Sequence, residues 1–206
     1  MADGKEILGG LEKEGVSTGV GLAKSGVSKA AGGVMDVAKD ESRKVVINFT
    51  NNTKQTWTNP RIFLDSGMAE DLLPLEIADK KDLKYEVHKK KWTFSGIAGV
   101  ITYQWKVSGQ KYSLALMFNS PMMTSNTWNV VINSEDTVEA NQNVFKSLLK
   151  ENGDNPMVKG DNNYTTREFG PYTVQGAMSS SGTAKINLIV KCTEPAESSD
   201  VNADSV

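Results

Sequence analysis

The chain has few of the residues on which hydrolytic, redox or metal chemistry usually depends. Its 206 residues include one cysteine, Cys192, and one histidine, His88. A single cysteine can form no internal disulfide and no cysteine-based metal site. No local motif pairs Cys192 with His88, and the acidic residues lack the spacing of a glycosidase or metal site. We therefore expect no enzyme, no metal site and no cofactor.

The chain also lacks long apolar runs and an excess of positive charge. No window of about 18 consecutive apolar residues occurs, which argues against an ordinary transmembrane helix. The first residues, Met-Ala-Asp-Gly-Lys-Glu, do not resemble a signal peptide. A formal net charge of −2 gives no general attraction to phosphate backbones, so we expect no nucleic-acid partner. The basic run at 88–91 is interpreted as a solvated loop or an edge strand rather than an anion site.

Aromatic residues are absent from the beginning of the chain. All six Phe, four Trp and five Tyr residues lie between Phe49 and Tyr172. Because aromatic side chains dominate the cores of small domains, this distribution predicts a packed body over residues 43–193. Residues 1–42 are then an N-terminal segment attached to that body. The acidic, aromatic-free tail at 194–206 is expected to be disordered.

The N-terminal segment has the pattern of an amphipathic helix over residues 16–38. Small polar and charged residues, including Ser25 and Ser28, lie largely opposite an apolar arc. Nine of the 18 glycines fall within the first 33 residues, so the helix is expected to be weak in water. It could dock on its own domain. Alternatively, its length of about 35 Å could cross a bilayer core of about 30 Å. The apolar arc comprises Val16, Val20, Ala23, Val27, Ala30, Ala31, Val34, Val37 and Ala38.

The body shows mainly the short, alternating patterns of β-strands. The strongest is 96–107, which a tight turn at 108–110 joins to 111–118 as an antiparallel hairpin. One further helix is predicted at 138–152, with Thr137 as N-cap and Gly153 as its end. Together these patterns predict a mainly β protein, a two-sheet β-sandwich flanked by two α-helices. The predicted strands are 44–50, 61–65, 83–88, 91–94, 96–107, 111–118, 128–133, 164–169, 172–178 and 183–192.

A series of short motifs, in order over about residues 14–193, resembles the actinoporins and their actinoporin-like relatives. Actinoporins are small pore-forming cytolysins of sea anemones. No single motif is diagnostic, but the ordered series covers most of the chain. The motifs are Arg-Lys-Val at 43–45, Lys-Gln-Thr-Trp-Thr at 54–58, Ser-Gly at 66–67, Gly-Ile-Ala-Gly-Val-Ile-Thr-Tyr at 96–103, Leu-Ala-Leu-Met-Phe at 114–118 with Pro121, Trp-Asn-Val at 128–130, Lys-Gly-Asp-Asn at 159–162 and Met-Ser-Ser-Ser-Gly at 178–182.

The resemblance implies a function in membrane permeabilisation. A monomer would bind the membrane, oligomerise and insert a detachable N-terminal helix to line a cation-conducting pore. The protein would then be secreted and act at a target-cell membrane, although a cytoplasmic location stays open. By the same resemblance, Arg43 falls in the hinge between helix and body. Ser66, Ala98, Asn119 and Pro121 fall in the headgroup pocket, and Lys159, Gly160 and Asp161 in a loop motif.

Two departures from the actinoporin pattern affect lipid recognition. Where the family has a loop rich in Trp and Tyr, this chain has Met122, Met123 and, of the aromatics, only Trp128. Where the family's second helix presents tyrosines, this chain presents Phe145, Leu149 and Lys150. Aromatic faces attract quaternary ammonium groups by about 0.5 to 2 kcal/mol each. We therefore expect membrane contact through Met122, Met123 and Trp128, without strong dependence on sphingomyelin.

Two function classes stay open at this stage. One is the pore-forming cytolysin that the resemblance implies. The other is a non-lytic lipid- or glycan-binding module, similar to a lectin, because fungal fruit-body lectins share this fold. The sequence does not distinguish the lipid or glycan ligand, or the stoichiometry of a pore.

Overall fold

The computed structural model describes residues 43–134, 137–150 and 155–193. The predicted membrane-insertion residues from Val16 to Val37, the helix end at Gly153 and the predicted disordered tail lie outside the described residues. The described part contains eleven strands and one helix. They are β1 (Lys44–Asn52), β2 (Thr58–Ser66), β3 (Met68–Ala69), β4 (Lys81–His88), β5 (Ile97–Val107), β6 (Gln110–Ser120), β7 (Thr127–Asn133), α1 (Gln142–Leu149), β8 (Val158–Lys159), β9 (Thr165–Phe169), β10 (Tyr172–Met178) and β11 (Thr183–Cys192).

The strands form two sheets, as the prediction of a sandwich requires. The first sheet has the order β3-β4-β1-β11-β10-β9, and the second has the order β2-β5-β6-β7-β8. The pair of β1 and β11 is parallel, with Lys44 opposite Thr183, and the other pairs are antiparallel. The first and last strands of the body therefore lie side by side at the centre of one sheet.

Alternation along each strand places apolar side chains between the sheets. In β1, Val45, Ile47 and Phe49 are completely buried, while their neighbours face the other way. Removing apolar surface from water contributes about 25 cal/mol per Å², so this shared core is the main source of stability. At the end of the sandwich where β5 turns into β6, Trp57 stacks on Trp105 with ring centroids 5.6 Å apart. The fold class predicted from the sequence is confirmed.

Strand β5 is buried on both faces because helix α1 covers the outer face of the second sheet. Val100 and Met117 of that face form a second apolar cluster with Phe145 and Leu148 of the helix. The ring centroids of Phe63 and Phe145 lie 6.3 Å apart. A strand enclosed on both sides has a continuous apolar sequence, which explains why 96–107 gave the clearest strand pattern.

The predicted hairpin is confirmed, and its turn has the backbone that a two-residue connection requires. Ser108 and Gly109 both have positive φ, 48° and 85°. Positive φ at both central residues is typical of the type I′ turn, whose twist matches that of paired strands. Most other predicted strands also correspond to observed ones. The two-residue strands β3 and β8 were not predicted.

Two predictions about local structure are wrong. Residues 91–94 form no strand, because β4 ends at His88 and β5 begins only at Ile97, and the chain turns between them. The helix begins later than predicted, and its N-cap is Asn141 rather than Thr137. The Asn141 side chain accepts a hydrogen bond of 3.0 Å from the Val144 backbone N–H. Asn is at least as good an N-cap as Thr, and Val138 is buried before the helix begins.

Candidate functional site

Four loops gather at one end of the sandwich, which we call the loop end. They connect β4 to β5 (89–96), β6 to β7 (121–126), β8 to β9 (160–164) and β10 to β11 (179–182). Asn126 joins three of them. Its side-chain amide donates to the backbone carbonyl oxygens of Ser179 (2.8 Å) and Ser181 (3.0 Å). The backbone carbonyl oxygen of Asn126 accepts a hydrogen bond of 2.7 Å from Gly160 N–H. The loop end is therefore a connected structure.

The β4–β5 loop is held against the β6–β7 loop at both of its ends. At its start, Lys89 N–H donates to the Arg43 carbonyl oxygen at 3.1 Å, and the Arg43 guanidinium donates to Met122 Sδ at 3.2 Å. At its end, a Cβ added to Gly96 would lie 2.4 Å from the Ser120 carbonyl oxygen and 2.7 Å from Pro121 Cα. Only a glycine permits this approach of the two backbones. Arg43, the predicted hinge residue, thus lies at the loop end.

The residues predicted from the resemblance to form a headgroup pocket lie next to one another. Ser66 pairs with Ala98 between β2 and β5, and Ala98 pairs with Asn119 between β5 and β6. Pro121 follows β6 directly. Ala98 is buried and the other three are half-buried. The structure therefore brings these four residues together at the loop end, with Met122 half-buried and Met123 exposed beside them.

Two aromatic residues predicted to contact lipid do not lie at this surface, which corrects the sequence analysis. Trp128 is completely buried between the sheets, since its position in β7 points into the core. Phe145 is buried against the second sheet by the amphipathic packing of α1. Leu149 is half-buried in the same cluster. In the described conformation, neither ring can reach a headgroup.

The exposed apolar side chains are instead on loops that the sequence analysis did not associate with lipid. Trp92 is 86% exposed, Phe94 is 90% exposed and Met123 is 97% exposed. Among the described residues seven large apolar side chains are exposed, and only Leu72 and Leu75 lie away from this end. The five at or beside the loop end are Met68, Trp92, Phe94, Met123 and Tyr164. Exposed apolar side chains that are concentrated at one end of a domain commonly mark a protein or membrane contact.

Trp92 and Phe94 were missed because residues 91–94 were interpreted as a strand with β-prone side chains. A better signal was available in the sequence itself. Three lysines precede Trp-Thr-Phe directly at 89–94. Basic residues next to Trp and Phe are typical of segments at membrane interfaces. Within the described part of the chain no strand pairs with residues 89–96, so these residues turn and the two rings are exposed.

The predicted loop motif contributes to the conformation of the loop end. Its residues are Lys159, Gly160 and Asp161. Gly160 is buried, and a Cβ there would lie 2.8 Å from the Ser179 carbonyl oxygen. The Asp161 carboxylate accepts from the backbone N–H of Asn163 at 2.9 Å and from its side-chain amide at 3.0 Å. These hydrogen bonds lower the pKa of Asp161 below its ordinary value. Asp161 therefore stabilises a turn, and Lys159 is exposed beside it.

The charges of the loop end are mainly positive. Lys90 and Lys91 are exposed next to Trp92. Of the four loops, only 160–164 carries an acidic residue, Asp161. The nearest carboxylate on β4, Glu86, is engaged by Lys44 at 2.8 Å and by another lysine, and these hydrogen bonds lower its pKa to about 2.

The described residues contain neither a metal-binding cluster nor a membrane-spanning helix. They contain no group of three or more His, Cys, Asp and Glu side chains placed to hold a metal ion. None of their helices has the length and apolar character needed to cross a bilayer. Cys192 is half-buried at the end of β11.

The chain is similar to proteins named for their effect on cells. A family model described as "Sea anemone cytotoxic protein" matches residues 16–192. Nigrelysin of Anthopleura nigrescens is 29% identical over 188 residues, which are 89% of this chain and 81% of that protein. Cytolysin tenebrosin-B of Actinia tenebrosa is 28% identical over 162 residues, 76% of this chain and 72% of that protein.

Among solved structures, the lipid binding protein Nakanori has a similar fold. The two structures superimpose with a TM-score of 0.56 and 16% sequence identity. The superposition covers 87% of this chain and 90% of Nakanori. At this level of identity, the comparison shows that the fold is shared.

Proposed function

Because this chain belongs to the sea anemone cytotoxic protein family, we propose that it is a pore-forming cytolysin. In this proposal the protein meets a lipid membrane as a monomer, oligomerises there and inserts its N-terminal segment. The inserted helices line a cation-conducting pore. The protein acts at a target-cell membrane and has no catalytic activity.

The extent of the family match is the observation that carries the proposal. The match begins at residue 16, where the amphipathic pattern also begins, and ends at residue 192, the last residue of β11. A binding module without lytic activity would need only the sandwich. Here the match includes both the amphipathic segment and every strand of the body.

The structure supports the proposal through the position of the exposed apolar side chains. Trp92, Phe94 and Met123 lie at the same end of the sandwich as Arg43. Arg43 is the point at which the N-terminal segment joins the described body. A membrane that contacts this end therefore lies close to Arg43, where the inserting N-terminal segment is attached to the body.

Dye release from lipid vesicles tests the proposal. The variant Val27→Asp with Val34→Asp places two carboxylates on the apolar arc of residues 16–38. Burying an Asp at the centre of a membrane helix costs about 2.5 to 3.5 kcal/mol, so release should fall more than about 100-fold while binding persists.

The control is Ser25→Asp with Ser28→Asp, which adds the same charge to the polar arc and should retain most of the release. Equal release from both variants would reject insertion through the apolar arc. Absence of release by the unmodified protein from every lipid mixture tested would favour the non-lytic binding module.

A further inference from the structure

The β4–β5 loop carries the two most exposed aromatic side chains of the described residues. Trp92 and Phe94 expose 86% and 90% of their surface. Both lie on the short turn between β4 and β5, and Met123 is exposed on the loop that packs beside Gly96. Trp favours the boundary between headgroups and acyl chains, and Met adapts to irregular apolar surroundings. These three side chains have the composition of an interfacial membrane anchor.

The loop is ordered by its own hydrogen bonds, so the rings are presented by a formed structure. Thr93 Oγ1 donates to the Lys90 carbonyl oxygen at 2.9 Å, and Ser95 Oγ donates to Thr93 Oγ1 at 3.0 Å. Trp92 has a φ of 62°, in the left-handed region that bulky residues rarely occupy. Such conformations cost about 1 to 3 kcal/mol and are concentrated at functional sites.

The charge around these rings favours a negatively charged surface. Lys90 and Lys91 precede Trp92, and neither their own loop nor the neighbouring loops at 121–126 and 179–182 carry an acidic residue. The fourth loop of this end carries one, Asp161, whose carboxylate accepts two hydrogen bonds from Asn163. Each lysine near an anionic membrane surface contributes about 1 kcal/mol to binding. A bilayer with anionic phospholipids therefore complements both the apolar tip and its basic flank.

A choline headgroup is less well matched to this end of the molecule. Recognition of a quaternary ammonium depends on aromatic faces around it. The four residues at the predicted headgroup pocket, Ser66, Ala98, Asn119 and Pro121, contribute no aromatic ring, and Trp128 is buried in the core. The available aromatic rings are at the tip of the β4–β5 loop.

We propose that the β4–β5 loop, through Trp92 and Phe94 with Met123 beside them, is the membrane anchor of this protein and selects anionic phospholipid surfaces through Lys90 and Lys91. The proposal deepens the proposed function, since it names the lipid class and the surface that makes first contact. It concerns binding alone and can therefore be tested whether or not the bound protein lyses the membrane.

Tryptophan fluorescence tests the contact directly. Of the four tryptophans, Trp57, Trp105 and Trp128 are buried and only Trp92 is exposed. In vesicles of phosphatidylcholine with about 30 mol% phosphatidylserine, lipids brominated on the acyl chain should quench the emission of the full-length protein. In Trp92→Phe, which keeps an aromatic anchor, the same bound fraction should show almost no quenching. Unchanged quenching in Trp92→Phe would overturn the assignment.

Vesicle binding tests the contribution of the anchor. The variant Trp92→Asn with Phe94→Ser removes both rings, and Asn is chosen because it tolerates positive φ. The control, Leu72→Ser with Leu75→Ser, removes apolar side chains that are similarly exposed, 93% and 81%, on the β3–β4 loop. We expect affinity to fall more than about tenfold in the first variant and less than about threefold in the second. Equal losses would overturn the proposal.

The same titration tests lipid selectivity. Lys90→Gln with Lys91→Gln should weaken binding to the phosphatidylserine vesicles by about tenfold or more, and binding to pure phosphatidylcholine vesicles by less than about twofold. The control is Lys106→Gln with Lys111→Gln, an exposed pair facing each other at the opposite end of the sandwich. If the control pair lowers the affinity for phosphatidylserine vesicles as much as the Lys90 and Lys91 pair does, the loop end is not the source of the attraction and the proposed selectivity is wrong.

Failure of this proposal is distinguishable from failure of the proposed function. Loss of vesicle binding in the loop variants, with or without lysis by the unmodified protein, supports the anchor. Lysis with undiminished binding in the loop variants rejects the anchor and leaves the cytolysin intact.

Discussion

Trp128 occupies the core because Gly176, on the facing sheet, leaves space for its indole ring. A Cβ added to Gly176 would lie 2.4 Å from Trp128 Cη2, 2.8 Å from its Cζ3 and 3.0 Å from a side-chain atom of Leu188. Packed cores accept such overlap only by displacing side chains or backbone. The residue that would otherwise have been a candidate for lipid contact therefore serves the packing of the two sheets.

This contact predicts that Gly176→Ala destabilises the fold. The added methyl should lower the free energy of unfolding by about 1 to 3 kcal/mol, because Trp128 and Leu188 must both shift. Gly182→Ala is the control, since its Cβ would meet nothing closer than Arg43 Nε at 3.9 Å. Urea denaturation, followed by tryptophan emission, measures the free energy of unfolding of both variants. Stability of Gly176→Ala equal to that of Gly182→Ala would contradict the packing described here.

At the scale of the secondary-structure elements, Arg167 joins the edges of the two sheets. It lies on β9 of the first sheet, and its guanidinium donates to the side-chain oxygens of Asn129 and Asn155 and to the carbonyl oxygen of Pro156. It also lies 6.0 Å from the centre of the Trp128 ring. Burial lowers the pKa of Arg167, although the guanidinium stays charged. Amide and carbonyl oxygens from residues near β7 and β8 thus compensate this half-buried charge.

Removing this connection should weaken the closure of the sandwich. We expect Arg167→Met to lower the free energy of unfolding by about 2 to 4 kcal/mol, because hydrogen bonds to a charged group are lost and the side-chain oxygen of Asn155 loses its donor. The side-chain oxygen of Asn129 keeps the Val130 N–H as a donor. The matched control, Arg61→Met, changes an exposed arginine on β2. Thermal or urea unfolding should separate the two variants. Indistinguishable midpoints would show that Arg167 contributes little to joining the sheets.

At the scale of the whole molecule, the two ends of the sandwich differ in character. The end at which β5 turns into β6 contains an aromatic cluster of Trp57, Trp105 and Tyr172. The polar atoms of this cluster are paired inside the protein: Trp105 Nε1 donates a hydrogen bond of 2.8 Å to Tyr172 Oη. The loop end contains most of the exposed apolar side chains among the described residues. This asymmetry gives the body one surface suited to a bilayer.

Because the four residues of the predicted headgroup pocket contribute no aromatic ring, we expect no strong dependence on sphingomyelin. Binding titrations with sphingomyelin vesicles and with glycerophospholipid vesicles of equal surface charge should differ by less than about tenfold, equivalent to about 1.4 kcal/mol. A larger preference for sphingomyelin would show that a choline-selective site exists despite the burial of Trp128.

The sequence by itself predicted the parts of the protein, a β-sandwich body and an N-terminal segment with an amphipathic pattern. It also carried a family resemblance that spans both parts. These depend on patterns of period two or 3.6, and on ordered motifs, which are local in the chain. Strand β5 and its hairpin were predictable because burial on both faces and a two-residue turn leave a strong local signature. The resemblance grouped Ser66, Ala98, Asn119 and Pro121, and Ser66, Ala98 and Asn119 are cross-strand neighbours in the structure; their role in headgroup binding stays a prediction.

Only the tertiary structure decided which aromatic rings face outward. Trp128 and Trp92 both lie in segments with β-prone residues. The lysines before Trp92 favour an interface segment, but they do not decide whether that segment pairs as a strand. Trp128 is buried because β7 pairs with β6 and faces Gly176 across the sandwich. Trp92 is exposed because none of the described strands pairs with residues 89–96, and the chain turns there with a positive φ. Burial depends on partners distant in the sequence, and these partners exist only once the two sheets have packed together.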